Sequence, residues 1–192
     1  MVALRRRSSS TALLHGYAQE AECMKEIDRI IRVDHAGERG AIGIYTAQLI
    51  VARVLYKDLV PSLEAMLLHE REHYATFNQL LNNRKIRHCY GLGLWAFGGV
   101  ILGTLTALLG RNAIWVCTNS IETTVLQHLE WQLAFLQKHD AEVYAAVLSI
   151  KADEEEHRDL GRGNSKDSPL YLPIFWLVHN STMFAIWLST KL

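Results

Sequence analysis

Cysteine and proline are both scarce in this chain, with three of each. Cys23, Cys89 and Cys117 are too few and too scattered for a disulfide framework or a thiolate metal site, so they read as free thiols in a reducing compartment. Pro61 and Pro169 stand where helices would start, and no hairpin signal or alternating strand pattern is visible, so the expected fold is all-α. Net charge is also missing: 20 basic residues balance 20 acidic ones, which gives no support to nucleic-acid binding. No Gly-rich dinucleotide fingerprint occurs on a strand–helix turn, so no tightly bound nicotinamide is expected. With 192 residues and 49% hydrophobic content, one domain with a sizeable core is within reach.

Charge is absent locally as well. Residues 89–110 contain no charged side chain, and residues 168–190 contain none apart from a possible charge on His179. Either segment could span a membrane on length alone. The first is glycine-rich and falls between the two halves of the chain, where a bundle needs a long crossover. The second has Tyr171, Trp176 and Trp187 with a polar middle, His179 to Thr182, that suits a hydrocarbon centre poorly. The preferred reading is interfacial docking on a bilayer surface, with an apolar route leading inward; two buried core helices are the alternative. Acidic residues are absent before Glu20. Residues 1–22, with Arg5, Arg6 and Arg7 followed by Ser8 to Ser10, resemble a mitochondrial targeting peptide, and a basic tail on a bacterial protein is the alternative. The domain proper would then run over residues 23–192.

What the chain does have is a repeated set of metal-ligand residues. Glu38, Glu70 and His73 recur 84 positions later as Glu122, Glu154 and His157. Each half reads Glu, a gap of 32, then Glu-x-x-His. One Glu from each of two helices plus a Glu-x-x-His from each of two others is the ligand set of a carboxylate-bridged di-iron or di-manganese centre in a helical bundle. If Glu38 and Glu70 sit on antiparallel neighbours, the turn falls near residue 54, about 24 Å from each ligand at the helical rise. For Glu122 and Glu154 the midpoint is Lys138, in a polar run with Asp140 as a helix N-cap.

Helical periodicity places all six on apolar stripes. Leu63, Met66, Glu70, His73, Phe77 and Leu80 form one; Val143, Val147, Ile150, Glu154, His157 and Gly161 another. Ile31, Asp34, Glu38, Ala41, Tyr45 and Leu49 form a third; Trp115, Glu122, Val125, Leu129, Leu133 and Leu136 a fourth. Buried carboxylates are costly without compensation, and two divalent cations would balance four glutamates. A single Glu-x-x-His is usually a solvated face, but two at matched offsets on apolar stripes are not. Glu72, Glu155, Glu156 and Arg158 fall off the stripes and read as surface charge, while His69 and His139 read as surface or turn residues. Asp34, one turn before Glu38, is a candidate to accept the second N–H of a ligating histidine, although its counterpart in the second half is Thr118.

The runs IDRIIRVDHAGERGAIGIYTAQ, HEREH, CTNSIETT and DEEEHRDLG, with a late IWLS, resemble the demethoxyubiquinone hydroxylase family of coenzyme Q biosynthesis, from about Ile27 to Leu192. The resemblance implies a ferritin-like four-helix bundle with a long apolar crossover and a C-terminal apolar helix. It implies a membrane-associated di-iron monooxygenase that hydroxylates the benzoquinone ring of a demethoxy intermediate, with the six repeat positions as metal and catalytic residues. Two Fe(II) ions, O₂ as co-substrate, and NADH or the quinol itself as electron donor follow from the same resemblance. So do a polyprenylated demethoxyubiquinone substrate, a lipid-binding partner within a biosynthetic assembly, and room for self-association. The implied location is peripheral, on the matrix side of the mitochondrial inner membrane or the cytoplasmic side of a bacterial membrane. The chain departs from the family pattern at His128-Leu129, where many members have His-Tyr, so no tyrosine stands at that position; His128 stays a candidate outer residue. Arg87-His88-Cys89-Tyr90 replaces a Pro-rich lead-in to the crossover. A membrane quinol oxidase and a ferritin-like iron-storage protein are the alternatives, separated by whether the ring gains oxygen.

Overall fold

The computed structural model describes residues 3–166 and 168–192, with side chains from residue 16 onward. The arginine side chains of the N-terminal basic segment and Asp167, the residue before Ser168 in the expected cap, lie outside these. Six α-helices and two short 3₁₀ turns make up the fold, and no strand occurs among the described residues.

Four helices form the bundle. Helix α1 (Ala3–Leu55) runs unbroken through residue 22 and ends where the ligand spacing puts a turn. A 3₁₀ turn (Lys57–Leu59) leads into α2 (Val60–Arg84), with Pro61 in the first turn, where its missing N–H costs nothing. Helices α4 (Arg111–His139) and α5 (Ala141–Asn164) are joined by Asp140 alone. Its extended backbone breaks the helix, and its carboxylate accepts the Val143 N–H at 3.0 Å as the expected N-cap. Arg84 donates two hydrogen bonds to the same carboxylate, tying the end of α2 to the start of α5.

The predicted stripes are the core. Ile31, Leu63, Phe77, Leu136, Val143 and Val147 are fully enclosed, and each such side chain stabilises the fold by roughly 1.5–3 kcal/mol. Ala41, Val125 and Leu133 are the half-buried members, because the stripes there face a cavity or a bundle edge.

The crossover forms α3 (Leu92–Leu108), which lies against α1 backbone to backbone. A Cβ on Gly99 would stand 2.2 Å from the Gly40 carbonyl oxygen, and one on Gly103 2.3 Å from that of Ile44, so only glycine permits this approach. Helix α6 (Leu172–Ser189) follows a 3₁₀ turn (Pro169–Tyr171) capped by Ser168, and packs on α4. Two polar tethers hold it there. Ser120 donates to the Phe175 carbonyl at 2.8 Å, and the His179 Nδ1–H donates to the Thr124 hydroxyl at 2.8 Å. The direction of the second bond follows because the Thr124 proton is committed to the Ser120 carbonyl.

The polar middle of α6 reaches the surface, where Asn180 and Ser181 are exposed between Leu177 and Phe184. Asn180, Ser181 and Thr182 each donate to the carbonyl four residues back and so are satisfied on their own helix. Outward, α3 exposes Leu94, Phe97, Ile101 and Leu108, and α6 exposes Trp176, Leu177, Phe184 and Trp187. No helix among the described residues is long and apolar enough to cross a membrane.

Candidate metal centre

The six predicted residues converge in the middle of the bundle, and all are at least 93% buried. Glu38 comes from α1, Glu70 and His73 from α2, Glu122 from α4, and Glu154 and His157 from α5. They form two overlapping groups, Glu38–Glu70–His73–Glu154 and Glu70–Glu122–Glu154–His157, in each of which one ligand-type atom per residue lies within 4.8 Å of the others. Glu70 and Glu154 belong to both groups, so a pair of metal ions there could share them.

The imidazoles point inward through Nδ1. That of His73 is 3.2 Å from Glu154 Oε1 and 3.7 Å from Glu38 Oε2; that of His157 is 3.5 Å from Glu70 Oε1 and 3.7 Å from Glu154 Oε2. Both Nδ1 atoms, Glu70 Oε1 and Glu154 Oε2 are buried without a hydrogen-bond partner. Such orphans are costly in an apolar core, and their convergence fits a bound cation. A set of four carboxylates and two imidazoles suits iron or manganese better than softer metals.

Electrostatics carry the same message. Burial pushes Glu38, Glu122 and Glu70 above the usual carboxylate range, reinforced by the charges of neighbouring glutamates. Burial works against the charged form of Glu154 too, but contacts with His157 and His73 hold its carboxyl below that range. Burial would lower the two histidines, yet Glu154 and Glu38 push His73 up to about 12, and Glu154 and Glu70 push His157 up to about 9. Protons thus occupy positions where cations would neutralise the same charges.

Around the six lie contacts of unequal visibility in the sequence. Asp34 does not face a histidine: its Oδ1 accepts from Gln132 at 2.8 Å, across to α4. His73 Nε2 instead meets Asp153 Oδ2 at 3.0 Å. His69, expected at the surface, is half-buried, with Nδ1 at 3.0 Å from His157 Nε2. The 84-residue repeat contains the signal for both, since it maps position 69 onto 153. Tyr45, fully buried, donates to Glu122 Oε1 at 2.5 Å. Glu72, Glu156 and His139 are exposed, and Glu155 and Arg158 are half-buried at the rim.

On one side the centre meets an apolar cavity of about 460 Å³ between α1, α3, α4 and α6. Glu38, Glu70, Glu122 and Glu154 line its inner end; Gly98, Leu102, Val125, Leu177 and Ala185 are among the residues of its walls. Asp34 and His128 are polar residues of the same lining. Burial pushes Asp34 up to about 7 against the pull of Gln132, and lowers His128 to about 4, so the imidazole is neutral. Its Nδ1 accepts from the Trp131 indole at 3.2 Å, which leaves Nε2 to carry the ring's proton.

Comparison with known proteins agrees with this architecture. Residues 25–189 match the model of the family described as ubiquinone biosynthesis protein COQ7. The NADPH-dependent 3-demethoxyubiquinone 3-hydroxylase, mitochondrial, of Dictyostelium discoideum is 38% identical over 169 residues, covering 86% of this chain and 77% of the relative. The 3-demethoxyubiquinol 3-hydroxylase of Rhodospirillum rubrum is 36% identical, covering 86% and 78%. The human protein named as the Dictyostelium one is 34% identical, with the same two shares as the bacterial relative. The reductant in these two eukaryotic names is NADPH, where the family resemblance implies NADH or the quinol. With the match running through all the bundle helices and both Glu-x-x-His pairs, the chain belongs to the COQ7 family of ubiquinone biosynthesis proteins.

Proposed function

We propose that this chain is an O₂-dependent hydroxylase of the quinone or quinol ring of a demethoxyubiquinone intermediate, holding two iron ions through Glu38, Glu70, His73, Glu122, Glu154 and His157. The observation that carries the reading is the joining of a cation-demanding centre to an apolar cavity that shares its glutamates. Bound iron would supply the one-electron steps that let O₂ react with a closed-shell ring, which no side chain here can do. The ring gains one oxygen atom; the other leaves as water, at the expense of two electrons from a reductant and two protons.

The residues of the chain then have definable tasks. The apolar walls exclude water and hold the ring and the first part of its tail, while His128, neutral and donating through Nε2, suits a quinone oxygen. Tyr45 fixes one oxygen of Glu122 and leaves the other free to ligate. The exposed apolar surfaces of α3 and α6 suit docking on a bilayer, from which a polyprenylated substrate reaches the cavity without crossing water. Peripheral attachment to a membrane fits that surface; the mitochondrial inner membrane or a bacterial membrane as its site, and a lipid-binding partner, come from the family resemblance. Residues 1–22 would be the targeting segment of a 23–192 domain.

The test is anaerobic reconstitution with Fe(II), then addition of O₂, a short-tailed demethoxyubiquinol and NADPH, with products read by mass spectrometry. A gain of one oxygen that disappears in Glu122→Ala is the expected result. Iron oxidation with an unchanged ring would replace the hydroxylase with an oxidase or storage role.

A further inference from the structure

The two halves of the centre are related by the 84-residue offset, yet their outer contacts differ at each matched position. Position 153 is an aspartate whose Oδ2 stands 3.0 Å from His73 Nε2; position 69 is a histidine whose Nδ1 stands 3.0 Å from His157 Nε2, and with each inward Nδ1 left to a metal the Nε2–H groups donate outward to them. The His69 and His157 planes are parallel to within 13°, with centroids 5.2 Å apart, a spacing that with nitrogens at 3.0 Å sets the rings edge to edge. Tyr45 donates to Glu122, whereas the position matched to it, 129, is a leucine, so Glu38 has no such donor.

These contacts act in one direction. A carboxylate behind a ligating imidazole adds negative charge and makes the inward nitrogen a better donor to a metal; a neutral imidazole does so less. A phenol donating to a ligating carboxylate withdraws electron density from it. From this asymmetry we infer that the two metal positions are unequal, and that the first divalent ion fills the Glu38–Glu70–His73–Glu154 group while the second completes the Glu122–His157 side. The inference rests on the two-metal reading above and assigns Asp153 and His69 as positioning residues of that centre. His69 also lines a second pocket, of about 310 Å³, with Ser62 and Glu156.

The experiment is anaerobic titration of the full chain with Co(II), followed by its visible absorption, and with Fe(II), followed by Mössbauer spectroscopy at one equivalent. Two resolved steps are expected in the wild type, with a single dominant spectral species after the first. Asp153→Asn should weaken the first step by about 10- to 100-fold and leave the second in place, Asp153→Glu should restore it, and His69→Asp should draw the two steps together. Asp153 is partly exposed, and circular dichroism of the metal-free variants checks that they remain folded. Two equal steps in the wild type, or equal weakening of both by Asp153→Asn, overturn the inference while leaving the two-metal reading intact. No binding by the wild type overturns both.

Discussion

Adjacent glycines on α3 should respond to the same substitution with opposite sign. A Cβ on Gly98 meets nothing within 4 Å, so Gly98→Ala removes the helix penalty of glycine and stabilises by up to about 1 kcal/mol. A Cβ on Gly99 would lie 2.2 Å from Gly40 O, and one on Gly103 would lie 2.3, 2.8 and 2.9 Å from three backbone atoms of Ile44. Backbone atoms cannot rotate away, so α1 and α3 must separate by about 1 Å to restore ordinary contact. Overpacking of this kind costs about 1–3 kcal/mol. Taking the upper part of that range and subtracting the helix-propensity gain leaves a net loss of about 2 kcal/mol for either Gly99→Ala or Gly103→Ala. For a chain of this size that is a fall in Tm of about 4–8 °C, against a rise of about 2–4 °C for Gly98→Ala. One separation of the helices relieves both clashes, so the double variant should lose less than the sum of the singles. Thermal unfolding of the metal-free proteins followed by circular dichroism decides it. Gly99→Ala and Gly103→Ala melting at or above the wild type would refute the claim that these helices touch through their backbones.

Three other outcomes follow. Metal binding must displace protons held on His73 and His157, and the upward shifts of Glu38, Glu70 and Glu122 act in the same direction, so it should acidify an unbuffered solution, and apparent affinity should tighten as pH rises and weaken as it falls; a pH electrode during titration reads the release, and titrations repeated at several pH values read the affinity. The Arg84 guanidinium holds Asp140 below the usual carboxylate range. Its contribution is therefore complete above the unfolded carboxylate value of about 4 and is lost as pH falls through the lower folded value. Asp140→Ala, which removes cap and bridge together, should cost about 1–2 kcal/mol at neutral pH in a denaturant titration, with the gap closing in acid. Ala185→Trp puts an indole into the cavity and should raise KM or abolish ring hydroxylation while both metal equivalents still bind, a split that separates substrate access from metal loading.

The helices, their turns and the six inward residues were legible because each depends on spacing along one chain. A turn near residue 54 and another at Asp140 follow from requiring ligands to be level, and the stripes follow from a 3.6-residue period. Asp34 shows where that reasoning stops. It lies on the same face of α1 as Glu38, but one turn along, that face looks at Gln132 of α4 rather than at a histidine of α2 or α5. A stripe says which side of a helix is inward and not which neighbour it meets. His69 and Asp153 lie at the edges of their stripes, where burial comes from the partner helix, and Asp153 sits inside an acidic run that reads as solvated charge. Only the repeat, applied beyond the ligands themselves, links them. The apolar segments were legible as uncharged stretches, but the glycine contact that turns one of them into a wall of the cavity depends on where α1 places its carbonyls.

Neither half of the chain can complete a metal position unaided, because each group borrows one glutamate from the opposite hairpin: Glu154 for the first, Glu70 for the second. A chain with both hairpins formed but not yet docked would offer terminal ligands and no bridge. On the two-metal reading, filling both positions would therefore require the docked hairpins and would report on their docking. In a population of mixed conformers, tightly held iron would count the molecules whose two hairpins have closed on one another.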